Sequence, residues 1–222
     1  MKAQEVRENN KKQSMGGGGF TIGYGNADVS AFKSFVPETM GKFKNDFLVI
    51  GGTGHAIINK FVIGGSGFAI ATDPIKTDSI SASLGGGIGT FDIGYLFFNK
   101  DKIKIYSVLG IGGGGLGLQI AKNKNISASK VASDPGQEIN INHGGFVADV
   151  SVHMNIIPAP AYDEKKESYG GFMFGLKIGY TYSLPSNDWT FSGGDITGGP
   201  NFGLSMLYAK LIIGGFGSQK TN

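Results

Sequence analysis

Asp149, Ser151 and His153 stand two residues apart in "FVADVSVHMNII", with Asn155 next. A carboxylate, a hydroxyl and an imidazole are the side chains of nucleophilic catalysis. On a β-strand all four share one face, but same-face neighbours two apart are separated by about 7 Å, too far for a direct Ser–His bond without help. Two chemistries compete for this set. A hydrolase or acyl transferase would need it at an accessible mouth. A hydrogen-bonded interior network, in which Lys177 neutralises Asp149, needs only mutual satisfaction. The network is the expectation for Asp149, Ser151, His153, Asn155 and Lys177. Ser151, His153 and Asp149 are the only catalytic candidates.

The run "LGIGGGGLGLQI" contains a literal G-x-G-x-x-G at Gly110, Gly112 and Gly115. A dinucleotide loop requires a strand before it, a helix after it and an acidic residue about 20 positions on. Here "LGLQI" continues as a strand, so a phosphate cradle is rejected. Gly41-Lys42 is followed by Phe43, without the Ser or Thr that would hold magnesium. His55 and His143 read as loop-proximal singles, and there is no cysteine, so neither a metal nor a cofactor is expected. Trp189, the only tryptophan, sits with Asp188 and Phe191 in a polar connection and reads as a loop-packing residue, or else a contact anchor.

The elements that must position these residues are strands. Glycine supplies 39 of 222 residues, more than twice the usual share of about 7%, with no G-X-Y period. Ile-Gly-Tyr recurs at Ile22, Ile93 and Ile178, and Ile-Gly-Gly at Ile50, Ile63, Ile111 and Ile213, each inside an alternating apolar segment. Alternation and turn signals predict eight strands, at 17–27, 46–58, 60–72, 79–99, 102–122, 144–157, 169–184 and 201–217. Long polar connections follow the first, fifth and seventh, and tight turns follow the second and fourth. The fold class is therefore all-β: a single antiparallel up-and-down barrel, glycine-rich, spanning 15–218. A polar segment, 1–14, precedes it without the apolar run of a secretory signal, and 219–222 is a tail. A short helix is expected between Ala27 and Asp46, ending near Pro37. A formal net charge of +3 gives no reason to expect a nucleic-acid partner.

Which face is apolar decides the solvent. In the sixth strand Phe146, Ala148, Val150, Val152, Met154 and Ile156 oppose the polar set. In the seventh, Phe172, Phe174, Leu176, Ile178, Tyr180 and Tyr182 oppose Gly175, Lys177, Gly179 and Thr181. Small, glycine-rich faces suit a crowded lumen better than a solvated surface, which places the apolar faces in lipid. Tyr24, Tyr95, Tyr106, Tyr169, Tyr180, Tyr182 and Tyr208, near strand ends, then read as interfacial residues. In strands three to five the apolar parity switches across each glycine cluster. Either a bulge restores the face, or the face truly inverts, one half meeting lipid and the other packing an internal core. Gly51, Gly64, Gly112, Gly113 and Gly214 are expected to form a glycine belt at matching positions.

From Gly16 to Gly217, the segments "IGYG", "DIGYLFF" and "LIIGGFG" resemble strands of the small eight-stranded outer-membrane β-barrel proteins of bacteria. The resemblance implies an outer-membrane location, membrane lipid as a partner, and a structural or surface-recognition role through long loops that contact a ligand or protein. Two alternatives remain open: a soluble secreted barrel that binds an apolar ligand or self-assembles, and a lipid-modifying barrel enzyme.

Overall fold

The computed structural model describes residues 12–100, 102–123, 138–163, 168–191 and 194–221. In chain order the strands are β1 (Lys12–Ala27), β2 (Asp46–Ile58), β3 (Phe61–Ala71), β4 (Ile75–Lys76), β5 (Ile80–Lys100) and β6 (Ile103–Lys122). They continue with β7 (Glu138–Ile156), β8 (Ala161–Asp163), β9 (Ser168–Ser183), β10 (Trp189–Phe191), β11 (Gly194–Ile196) and β12 (Met206–Thr221). The eight long strands pair antiparallel in the order β7-β6-β5-β3-β2-β1-β12-β9, and β9 pairs back to β7, which closes the barrel. Pairing of β1 with β12 runs out to Lys12 opposite Thr221, past both expected barrel limits. β7 also starts earlier than expected, at Glu138, and β12 later, at Met206, because Phe202 leaves the sheet to bridge Ser186. The expected short helix is two 3-10 turns, Ser30–Phe35 and Glu38–Met40, separated at Pro37.

The pairings fix the barrel's geometry. From Phe20 one way round, through Gly52, Gly67, Gly89 and Gly113, the ladder reaches Phe146 of β7; the other way, through Ile213 and Phe174, it reaches Ile156. The two paths meet ten residues apart on one strand, a shear of ten for eight strands. Such a stagger tilts strands by roughly 35–45° and leaves an interior just wide enough for side chains. With about 3.3 Å per residue along a tilted strand, the outward run from Phe146 to Ile156 climbs about 25 Å, the height of a lipid-facing band.

The outside of that band is apolar. Phe20, Ile22, Leu48, Ile50, Phe61, Ile63, Phe91, Ile93, Leu109, Ile111, Val150, Val152, Phe174, Ile178, Leu211 and Ile213 are all exposed, while their neighbours along each strand point inward. Monomeric soluble proteins rarely expose contiguous apolar patches of this extent, and an apolar band around a barrel matches a lipid-facing wall. Tyr24, Tyr95, Tyr180 and Tyr182 face out as expected of interfacial residues, but Tyr106 and Tyr208 are buried in the lumen, a correction to the reading from strand position. Inside, the apolar side chains form two clusters. One lies toward the long loops around Phe32, Phe68, Leu118, Trp189 and Phe202, the other toward the short turns around Met15, Ile57, Leu96 and Phe216.

The glycine clusters are inversions. Pairing is continuous from Ile80–Lys122 to Leu96–Tyr106, straight through Gly85–Gly89 and Gly113–Gly117. Ile93 and Leu109 therefore face out, whereas Leu84, Ile88, Leu116 and Leu118 face in. The cause is a change of surroundings along the strand. On β5, β6 and β7 the loop-proximal ends rise above the band, where water lies outside and the loop core around Trp189 and Phe32 lies inside. Val152→Arg, in the middle of the β7 band, is expected to cost about 2–4 kcal/mol. Gln119→Arg, outward on the raised part of β6, is expected to stay within about 0.5 kcal/mol; urea unfolding in lipid vesicles measures both.

Candidate functional site

The polar residues of the lumen lie between the two apolar clusters. Asp92, which the sequence did not single out, is fully buried and anchors half of them. It sits on β5 between the outward Phe91 and Ile93, so alternation drives it inward. Its Oδ2 accepts from Ser66 Oγ at 2.7 Å and lies 2.9 Å from His55 Nε2; its Oδ1 accepts from Thr90 Oγ1 at 2.7 Å. His55 is thus a lumen residue of β2, paired on both sides within the sheet, which corrects its assignment near a loop. Its Nδ1 lies 3.4 Å from both Thr53 Oγ1 and Tyr106 Oη.

Asp149 anchors the other half. Tyr208 Oη donates to both its oxygens at 2.8 Å, and Thr181 Oγ1 donates to Oδ2 at 2.9 Å. Lys177 joins the halves: its Nζ donates to Ser66 Oγ at 3.1 Å and lies 3.5 Å from Asp149 Oδ1. Register places Thr181 directly opposite Asp149, whereas Lys177 pairs with His153, four residues farther along β7, and its long side chain crosses the lumen to reach the carboxylate. Ser151 Oγ and His153 Nε2 are 3.3 Å apart, closer than the strand repeat suggests, because the imidazole spans the gap. The His153 ring stacks on Tyr106 with centroids 4.7 Å apart and meets His55 edge-on at 5.0 Å. Asn155 Nδ2 donates to Tyr106 Oη at 3.1 Å. Lys210, also missed, lies over Phe68 and Tyr208, with Nζ 3.5 and 4.2 Å from the ring centroids. Among the described residues, the middle of the lumen thus holds the carboxylates of Asp92 and Asp149 together with the amino groups of Lys177 and Lys210, and the Lys177–Asp149 contact pairs opposite charges there. Lys104, nearer the short turns, donates to the Lys100 carbonyl at 2.9 Å.

Chemically, Thr53, His55 and Asp92 form a hydroxyl–imidazole–carboxylate relay of the kind that activates a nucleophile. Ser151 and His153 have no carboxylate bonded to that imidazole among the described residues. Both arrangements are enclosed by the apolar clusters, and their residues are buried. Among the described residues no group of three or more His, Cys, Asp or Glu could hold a metal ion.

The remaining candidates fall elsewhere. His143 lies under the loops, 3.0 Å from Ser186 Oγ and 5.0 Å from the Trp189 ring. Trp189 is buried, donates Nε1–H to the Pro200 carbonyl at 2.6 Å and meets Phe32 edge-on at 5.1 Å, so it packs the loop core. Of the five glycines, Gly51, Gly64, Gly112 and Gly214 face inward and Gly113 outward. Gly112 and Gly214 lie on one register row, joined through Thr90, Ser66, Thr53 and Gly19, whereas Gly51 and Gly64 stand two residues off that row, on opposite sides of it.

No protein family and no curated protein matches the chain in sequence. Among solved structures, Ail of Yersinia pestis is 10% identical, with 92% of this chain and 99% of that one covered, at a TM-score of 0.46. Ail in complex with the heparin analogue sucrose octasulfate gives 12% identity, 92% and 99% coverage and a TM-score of 0.48. The outer membrane protein OprG of Pseudomonas aeruginosa gives 9%, 93%, 96% and 0.44 in the same order. The chain resembles the small eight-stranded outer-membrane barrels. Similarity at this level assigns no residue a role, and the barrel itself rests on the strand pairings.

Proposed function

We propose that this protein is a bacterial outer-membrane barrel that acts through its long-loop face, with the barrel as a rigid base. The filled lumen carries this reading: buried side chains occupy it from Met15 and Phe216 at the short-turn end to Trp189 and Phe202 under the loops. What remains for a water-soluble partner is the loop surface. There, Lys33 and Lys42 stand between two adjoining clefts. One, of about 380 Å³, is shared with Asp28, Lys44 and Asp46; the other, of about 370 Å³, with Val36, Pro37 and Glu38. In the first cleft the carboxylates are engaged. Asp28 accepts the Ser30 N–H at 2.9 Å, which holds its carboxyl below the usual range, and Asp46 accepts from Asn26 Nδ2 at 2.9 Å. The clefts carry both signs, with Lys44 3.5 Å from Asp73 and Lys33 near Asp28, and Lys33 and Lys42 are the cations that would meet an anionic surface ligand.

A planar bilayer holding the protein is expected to show no stable conductance steps, and a steady open channel would refute the closed-base reading. With a sulfated oligosaccharide as probe, Lys33→Glu with Lys42→Glu is expected to weaken binding about tenfold. Unchanged binding removes this loop from the recognition surface. Monodisperse behaviour without detergent or lipid would overturn the membrane assignment.

A further inference from the structure

We propose that the short-turn end of β3, β5 and β6 binds an anionic diacyl phospholipid, with its headgroup at Lys60, Lys100 and Lys102 near the turns and its chains running along the strands into an outward notch farther up the barrel wall. Such a site rests on the membrane-spanning reading of the barrel. An outward notch of about 640 Å³ lies between Phe61 and Ile63 of β3, Ile93 and Tyr95 of β5, and Leu109 of β6. It exists because Ser107 is the small residue of its row, between Tyr95 and Val152. Phe61 and Tyr95 wall it edge-on, with centroids 6.2 Å apart.

Three lysines lie between this notch and the short turns, outside its lining: Lys60 precedes Phe61, and Lys100 pairs with Ile103, four residues or about 13 Å along β6 from Ser107. Lys60 occupies the two-residue turn before Phe61, where Asn59 takes the positive φ of 60° that a tight hairpin requires. Its carbonyl accepts the Leu96 N–H at 2.8 Å, which ties the turn to β5. The ladder between β5 and β6 then slips between Leu96 and Phe98. That slip re-aims the strand end, setting Phe98 opposite Ile105 and Lys100 opposite Ile103 on the lipid face. Lys100 Nζ lies 5.6 Å from the Phe98 ring centroid, and Lys102 is exposed in the following turn. No carboxylate pairs with these lysines among the described residues, and Asp101 lies outside them.

Charge and apolar shape together select the ligand. Lysine stems lie along apolar surface while their ammonium groups reach the headgroup layer, and each basic residue near an anionic lipid surface strengthens binding about fivefold. A soluble anion would gain nothing from the notch, and in a zwitterionic lipid the headgroup cation offsets the attraction of its phosphate to the lysines.

The test uses the full chain inserted into vesicles of phosphatidylcholine with or without phosphatidylglycerol, extracted gently and examined by native mass spectrometry for retained lipid. Wild type is expected to retain phosphatidylglycerol preferentially. Combining Lys60→Gln, Lys100→Gln and Lys102→Gln is expected to reduce that preference about a hundredfold. Ser107→Phe, which fills the notch, is expected to lower retention while leaving the folded-barrel gel mobility intact. Insertion into both vesicles without a phosphatidylglycerol preference, or a preference that survives the triple substitution, overturns the lipid site and leaves the membrane reading standing. Failure to insert into either vesicle overturns both.

Discussion

Asp92→Ala is expected to destabilise the inserted barrel by about 3–5 kcal/mol, the cost of stranding buried partners that a lost charge had satisfied. The carboxylate accepts from Ser66 and Thr90 and lies 2.9 Å from His55, and all three neighbours are buried. Its removal leaves Lys177 to share Asp149 with Tyr208 and Thr181. Lys210 lies nearby over the Tyr208 ring. The middle of the lumen then holds one carboxylate against two lysines, enclosed by apolar clusters. Urea titration in vesicles, read by the gel mobility of the folded barrel, measures the loss. Combining Asp92→Asn with Lys177→Met is expected to cost less than the sum of the two single changes, because each removes the group the other strands. A loss below about 1 kcal/mol for Asp92→Ala, or strict additivity of the pair, would mean that the lumen is hydrated enough to screen these charges.

What the sequence disclosed, and what it concealed, follow from one property: whether both faces of a strand keep the same surroundings along its length. β7 and β9 lie in the lipid band over most of their paired length, so their alternation identifies the outward Val150, Val152, Phe174 and Ile178, and the inward Asp149 and Lys177, without a structure. β5 and β6 pass from lipid into the loop core, and a parity switch alone does not distinguish a bulge from a change of solvent. Continuous register does. The polar network was half visible for a different reason. Asp149, Ser151, His153 and Asn155 lie on one strand, whereas Ser66 bonds to Asp92, 26 residues away, and to Lys177, 111 residues away. Only barrel register brings those together. A local signal did exist for Asp92 and Lys210: each is an isolated charge between outward apolar residues, in "FDI" and "AKL", and such a charge in a membrane strand has only the lumen to enter.

Gly112→Ala and Gly113→Ala, adjacent in the run that mimics a phosphate loop, are expected to behave oppositely. Gly112 faces inward opposite Thr90, and a Cβ there would collide with the carbonyl oxygen of Gly89 on β5. Gly113 faces outward, and its nearest obstacle is the Gly145 carbonyl oxygen at 3.7 Å, ordinary van der Waals contact. The same collision with a neighbouring backbone carbonyl awaits a side chain at Gly51, Gly64 and Gly214, all inward. A barrel of eight strands is narrow, and strands that coil tightly enough to close it bring neighbouring backbones into the space an inward Cβ would occupy. Gly112→Ala must therefore displace β5, and is expected to cost about 3 kcal/mol or more, or to prevent assembly. Gly113→Ala adds a methyl group to the outer face and is expected to stay within about 0.5 kcal/mol of wild type. Parallel unfolding titrations of the two variants decide it. Equal losses would mean that these glycines serve backbone flexibility along the strand, while a large loss confined to Gly112 ties the glycine content to closure of a narrow barrel.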